Sequence, residues 1–278
     1  MPSDTQAKKR ETIAMKLVDL TRTLDSRDYE RLPDVVKPLA TILVPQVEYY
    51  APQTKGAEVM CQLFGCQREH LPDGEGWGEE RVVMNSHIGT HVDAPLHYGS
   101  RCEGKPARTI EGIQLDELFC DGLVLDLRET TQAGAGVTVA ALEAALHANG
   151  GRVTPGCAIL LRTGQEQYDL SDLRLYNYPG MTREGTLFLA ELGGKVLGTD
   201  AIGWDRPFMV MRGAFHETGD PKEIWDGHFA GREREVFIVQ QLTNLKSLPP
   251  HGFKVGFFPI KLAHCSAAPA RVVAFIDG

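Results

Sequence analysis

The sequence predicts an α/β or α+β domain built on one main β-sheet system with few helices. Three observations carry this. Runs with strand character outnumber runs with helical periodicity. Only two helices stand out. No repeat and no linker-like change of composition divides the 278 residues, so one domain over 14–278 is expected behind a polar leader over 1–13.

The elements follow in order. Met15–Leu24 alternates apolar with polar and reads as a strand entering a loop. Asp25–Gly76 is broken by Pro33, Pro38, Pro45 and Pro52. A loop-rich stretch of that length in a compact domain is expected to cover a site or a partner. Glu79–Ile88 is strand-like through Val82, Val83 and Met84, and Leu118–Leu127 is a second strand. Val137–Asn149 has helical spacing at Ala141, Leu142, Ala145 and Leu146, with Thr138 as N-cap and Gly150-Gly151 as stop. Ala158–Gly164 is a buried-strand run, Gly185–Leu192 a helix closed by Gly193-Gly194, and Lys195–Asp200 a strand entering a loop. Val236–Leu242, Gly252–Phe258 and Arg271–Ile276 complete the strands.

Composition narrows the function. A hydrophobic share of 42% supports a sizeable core. A formal charge of −8 without a Lys/Arg-dense patch argues against nucleic-acid binding, which needs clustered cations against phosphate. No apolar run reaches the roughly eighteen residues that cross a bilayer, so no membrane association is expected. The N-terminal residues carry Lys8, Lys9, Arg10 and Glu11 and no apolar signal core, which points to a cytoplasmic protein. The six cysteines are then expected as reduced thiols; Cys61 and Cys66 lack the second pair a structural zinc site needs.

The chemistry lies in His87-Ile-Gly-Thr-His-Val-Asp-Ala-Pro-Leu-His97, which holds three of the nine histidines. Gly89 and Pro95 interrupt it, so it is expected to leave the preceding strand as a tight loop rather than ride a helix. His87, His91 and Asp93 are expected as ligands of a divalent metal. Three protein ligands leave positions open for water and substrate, the arrangement of a catalytic site. Neutral imidazole with carboxylate suits Zn²⁺, Mn²⁺ or Fe²⁺ without choosing among them, and Zn²⁺ or Mn²⁺ is the expectation. His97 is either a ligand to a second ion or a free base, and Ser86 and Thr90 are candidates to support the ligands. A lone histidine is usually an ordinary polar loop residue; four candidate ligands packed this closely are not.

The same segment resembles the signature of the cyclase family of metal-dependent hydrolases, which includes bacterial kynurenine formamidase, isatin hydrolase and related imide and lactone hydrolases. Leu17-Val-Asp-Leu-Thr, Ala158–Gly164, Gly198-Thr-Asp-Ala-Ile-Gly-Trp-Asp, Leu242-Thr-Asn-Leu, Phe258-Pro-Ile-Lys and Ser266–Arg271 extend the resemblance over most of the chain. It implies a swivelling β/β/α fold, one divalent metal, a homodimer or homotetramer, and hydrolysis of an amide, imide or lactone bond in a small molecule. By position it assigns His87, His91 and Asp93 to the metal, and His97 and His228 to catalysis. Dinuclear members place a glutamate where this chain has Gln240. A neutral amide is a weak cation ligand, so the departure favours a single metal with His97 and His228 free for proton transfer, and an isatin hydrolase-like activity ahead of the alternative, kynurenine formamidase.

Further candidates are weaker. Trp77, Trp204 and Phe208 could wall a flat substrate, although aromatic side chains are core residues by default. Gln240 and Ser266 could contact substrate. Asp200 and Asp205 are read as loop-orienting groups, and Arg271 as a structural ion pair or a site residue. His70, His147, His216, His251 and His264 have no constellation around them. Two rival classes are a metal-dependent cyclase or lyase using the same site, and a non-catalytic metal-binding protein.

Overall fold

Four apolar residues in a row, Ala158-Ile159-Leu160-Leu161, lie within the strand Cys157–Arg162 and are each no more than 1% exposed. A strand buried on both faces belongs at the centre of a covered sheet, flanked by parallel neighbours. The computed structural model places it there. It describes residues 15–277, so the expected leader lies outside the described residues.

The principal strands are β1 (Lys16–Asp19), β2 (Gln46–Tyr50), β3 (Glu79–Val83), β4 (His91–Asp93), β5 (Phe119–Asp126), β6 (Cys157–Arg162), β7 (Gly194–Thr199), β8 (Phe237–Gln240), β9 (His251–Pro259) and β10 (Ala267–Ile276). The main sheet runs β1-β10-β9-β5-β6-β7-β8-β4, and β4 also pairs with β10. Seven strands therefore close into a barrel-like ring, with β1 added on β10. β5 through β8 are parallel, and the remaining pairings are antiparallel. The result is an α/β domain with a mixed, closed sheet and few helices.

The period-two alternation of strands sorts the core into two. Val92, Val124, Leu160, Val196, Phe237 and Val239 join one cluster with Val255, Phe257 and Val272. Their sequence neighbours Leu123, Leu125, Ile159, Leu161, Leu197 and Ile238 join the other, under Ala141, Leu142 and Leu189 of the covering helices. Those helices are the two the sequence predicts: α3 (Val139–Asn149), with Thr138 Oγ1 accepting from Ala141 N at 3.2 Å, and α4 (Arg183–Glu191), capped by Thr182.

Four further helices were not expected: α1 (Asp28–Arg31), α2 (Lys55–Phe64), α5 (Phe208–Thr218) and α6 (Asp226–Phe229). The longer two bury little, only Gly56 and Ala57 in α2 and Met211 in α5; α2 does carry apolar residues at helical spacing, Ala57, Met60, Cys61 and Phe64, but within a stretch whose prolines dominate the reading. The stretch expected to be irregular also contains β2, which pairs with β3 as an exposed hairpin apart from the main sheet. The metal-site motif is corrected likewise. It does not leave a core strand as a loop: β3 ends at Val83, and His91–Asp93 is itself a strand of the barrel.

All six cysteines are free. No helix among the described residues is long and apolar enough to cross a membrane.

Leu160 is fully buried in the inner cluster. Leu160→Ala should cost about 2–5 kcal/mol, the range for a leucine truncated in a packed core, while Leu63→Ala on the exposed face of α2 should stay within about 0.5 kcal/mol. Urea unfolding of both variants checks the contrast.

Candidate metal centre

β4 is three residues long, and its register places the expected ligands. Asp93 lies opposite Ile238 and Ala267, and His91 opposite Gln240 and Pro269. Residues two apart on a strand share a face, so His91 and Asp93 point the same way while Val92 enters the inner core. His87 arrives from the preceding turn, where Gly89 holds φ +56; a Cβ there would lie 2.5 Å from Leu24 Cδ2. This turn was expected from the glycine. His97 closes a short helical turn, Pro95–His97, immediately after the strand.

The side chains converge. His87 Nδ1 is 2.8 Å and His91 Nε2 3.4 Å from Asp93 Oδ1. The ligand atoms of His87, Asp93 and His97 all lie within 4.8 Å of one another. The His87 and His97 rings are 4.0 Å apart, centre to centre. His91 Nδ1 donates to Gly89 O at 2.7 Å, which fixes the tautomer and leaves the Nε2 lone pair bare. Both His91 Nε2 and Asp93 Oδ1 are buried and make no hydrogen bond of good geometry, although His87 Nδ1 stands close to the oxygen. Buried polar atoms are almost always paired. A nitrogen lone pair and a carboxylate oxygen cannot satisfy each other, whereas a shared cation satisfies both. The donor set therefore fits a divalent metal.

The other Asp93 oxygen is occupied. Gln240 Nε2 donates to Asp93 Oδ2 at 2.8 Å and lies 3.4 Å from His228 Nε2. Gln240 thus steadies the carboxylate from behind, and it also reaches the edge of the cavity described below. Although burial opposes its charge, the surrounding imidazoles hold the Asp93 carboxyl well below the usual carboxylate range.

His228 is buried on α6 and faces the same carboxylate, with Nε2 3.6 Å from Asp93 Oδ2. Its Nδ1 is hydrogen-bonded to Asp205, which also accepts from Gly227 N at 2.6 Å. A Cβ on Gly227 would meet Met181 O at 2.8 Å, so only glycine lets the two segments approach. Burial alone would lower the His228 pKa, but Asp205 and Asp93 outweigh it and push it up to about 9. His97 goes the other way. Burial, reinforced by the facing imidazoles and opposed by Asp93, pushes it down to about 3.

Trp225 was not anticipated. It sits at φ +55, an uncommon conformation for a bulky residue, stacks on His228 at 4.3 Å and meets His97 edge-on at 4.9 Å. Its signal in the sequence was an aromatic three residues before a candidate histidine. Tyr98 is a second omission: its hydroxyl donates to Asp93 O at 3.3 Å and accepts from Ile238 N at 3.0 Å, tying β4 to β8.

A cavity of about 440 Å³ opens beside the cluster; His87, His91, His97, Trp225 and His228 line its floor. Phe208 lines it. Trp204 reaches its edge but is only 1% exposed, with its indole N–H donating to Thr186 Oγ1 at 3.0 Å. Trp77 lies outside it, edge-on against Phe64 at 6.3 Å. Ser266 is also outside the lining, with Oγ 3.2 Å from His87 Nε2, so it contacts an imidazole. Thr90 Oγ1 donates to Gln241 O at 2.7 Å, bracing the turn. Asp200 binds the loop after β6 through Thr163 N, Gly164 N and Glu166 N. Arg271 pairs with Asp19 at 2.6 Å, the structural reading of that residue.

The profile of the family described as "Putative cyclase" matches residues 18–206, and the chain belongs to that family. Within it, the chain is 28% identical over 194 residues to the kynurenine formamidase of Paracidovorax citrulli (strain AAC00-1), covering 69% of this chain and 77% of that protein. Two solved structures share the fold. Isatin hydrolase A from Labrenzia aggregata, bound to benzyl benzoate, superposes with a TM-score of 0.69 at 21% identity, covering 95% of this chain and 94% of that one. A potential metal-dependent hydrolase with cyclase activity gives a TM-score of 0.63 at 22% identity, covering 95% and 99%.

Gln240→Leu would leave Asp93 Oδ2 buried without its donor. It should lower stability by about 1–3 kcal/mol, the cost of orphaning a buried acceptor. Urea titration of the chelator-treated protein checks it, because there no cation can offset the loss.

Proposed function

We propose that this chain is a metal-dependent hydrolase that opens an amide, imide or lactone bond of a small cyclic substrate, in the manner of an isatin hydrolase. The observation that carries the proposal is the pair of buried atoms His91 Nε2 and Asp93 Oδ1, 3.4 Å apart and neither in a hydrogen bond of good geometry, beside a cavity that His91 lines. His87, His91 and Asp93 are the ligands in this reading, and the ion is Zn²⁺ or Mn²⁺. One ion per chain is expected, because Gln240 spends its amide N–H₂ on Asp93 and brings no second carboxylate. When bound, the ion lowers the pKa of a water and polarises the substrate carbonyl.

The remaining work falls to the chain. Asp205 holds His228 through Nδ1, so His228 presents Nε2 to the cluster and can carry a proton there. His97, which lines the cavity beside His87, is placed to take a proton from the attacking water and return it to the leaving nitrogen or oxygen. Such transfers contribute roughly a hundred- to ten-thousand-fold in rate. Trp225 packs against both imidazoles and limits their rotation. The proposal also includes the swivelling β/β/α arrangement, a cytoplasmic location and a homodimer or homotetramer. The exposed apolar residues Tyr49, Val82, Leu63 and Phe64 on the hairpin and α2 support such an assembly. The 28% identity to kynurenine formamidase supports a second reading, an arylformamidase with the same site.

The test joins elemental analysis with turnover in ¹⁸O-labelled water. A hydrolase puts one solvent oxygen into the acid product; a cyclase or lyase puts in none, and a bound metal without turnover on isatin, a cyclic imide, an unsaturated lactone and N-formylkynurenine leaves a binding protein. His97→Ala should retain the metal and lose about a hundredfold or more in kcat. Loss of the metal from the purified variant would make His97 a ligand instead, the alternative its closeness to His87 and Asp93 allows.

A further inference from the structure

The cavity beside the imidazole cluster is lined unequally. Its floor is histidine and amide. Its far wall comes from two segments distant in sequence: Val35, Leu39 and Ile42 of the proline-broken stretch, and Phe208 and Met209 at the start of α5. Val35, Phe208 and Met209 are 76%, 56% and 72% exposed, so the apolar lining runs out to the rim.

Charge is scarce in this wall. Apart from the imidazoles, the charged side chains lining the cavity are Asp205 and Arg206. Asp205 is committed to His228 and to Gly227 N, and the Arg206 guanidinium to Glu223. The Tyr176 hydroxyl donates to Leu170 O at 2.6 Å and so is turned to the backbone. Among the described residues of the lining, no cation is left over for a substrate carboxylate, and no carboxylate for a substrate ammonium. A charge carried past the rim, against the buried Val36, Leu43 and Met211 of the lining, would lose water and find no partner, which is strongly unfavourable. The space is generous: 440 Å³ is about three times the roughly 150 Å³ cavity that holds one benzene.

We infer that the substrate is uncharged and carries a large apolar body, two aromatic rings or the equivalent, which lies on the Leu39–Met209 wall while its carbonyl meets the imidazole floor. This rests on the hydrolase reading above, yet it can fail separately. It turns the substrate class away from compounds that bear an amino-acid head group, and it makes Leu39 and Met209 specificity-determining residues.

Calorimetric titration with benzophenone, a ketone no hydrolase cleaves, and with its 4-carboxylate tests the wall directly. Both the metal-loaded and the chelator-treated protein are needed, so that a carboxylate caught by the ion is recognised. Benzophenone should bind at least tenfold tighter than the acid to the chelator-treated protein. Leu39→Lys, at a half-exposed position that tolerates a long side chain, should narrow that ratio at least fivefold by giving the acid a partner. In parallel, kcat/KM for N-benzylphthalimide should exceed that for N-(4-carboxybenzyl)phthalimide at least tenfold. Absence of benzophenone binding, equal or tighter binding of the acid to the chelator-treated wild type, or an unchanged ratio in Leu39→Lys overturns the inference. If neither imide, nor any compound of the panel above, is hydrolysed but benzophenone keeps its advantage, the reaction reading fails and the wall stands. Equal turnover of both imides does the reverse.

Discussion

Three residues, His91-Val92-Asp93, close the barrel. They pair with β8 on one side and β10 on the other, and without them the ring is an open sheet. Closure places Asp93 at 0% exposure, where a carboxylate is tolerable only if its neighbours answer its charge. Much of the site can be understood as that answer. Gln240 gives one oxygen a donor, Tyr98 holds the backbone, and the imidazoles gather around the other oxygen. The fold and the site therefore share one constraint, and strand closure cannot be loosened without disturbing the cluster.

That coupling explains what the sequence did and did not disclose. The dense His/Asp motif was legible because ligand chemistry needs particular residue types close together, and the strands were legible because burial on two faces writes continuous apolar runs such as Ala158–Leu161. α2 and α5 were not: both bury few residues, and the helical spacing of α2 at Ala57, Met60, Cys61 and Phe64 sits inside a proline-broken stretch. β4 was missed for the opposite reason. A three-residue strand whose alternate positions are imidazole and carboxylate looks like a polar loop until its two partners, more than 140 residues further along the chain, are in place. Asp205 was read only as loop-orienting. Its bond to His228 spans 23 residues, and no local pattern announces it.

Gln240 is the residue whose meaning changed most. Its position suggests a lost ligand, since a glutamate there would serve a second cation. The structure gives the amide a positive task, because it donates to the Asp93 oxygen that faces away from the other imidazoles' meeting point. An ionised glutamate could not donate, and two carboxylates at that distance need a cation or a shared proton between them. Amide at 240 and a single ion are thus consistent choices, each removing the need for the other's alternative.

The proline-broken stretch completes the picture. Such a segment contributes little regular structure, yet Leu32, Val36, Leu43 and Val44 form a small core of their own with Ile202 packed against it. That anchors its apolar side chains as one wall of the cavity, opposite a floor fixed by barrel closure. The two halves answer to different constraints. The floor cannot vary without exposing Asp93 or unpairing β4, whereas Leu39 and Met209 lie toward the rim, where a change of side chain disturbs neither core cluster. Under the proposed hydrolase reading, chemistry and selectivity would be separated in this fold: the motif that closes the barrel would set what kind of bond can be attacked, and a loop and the first turn of α5 would set which molecules are admitted to it.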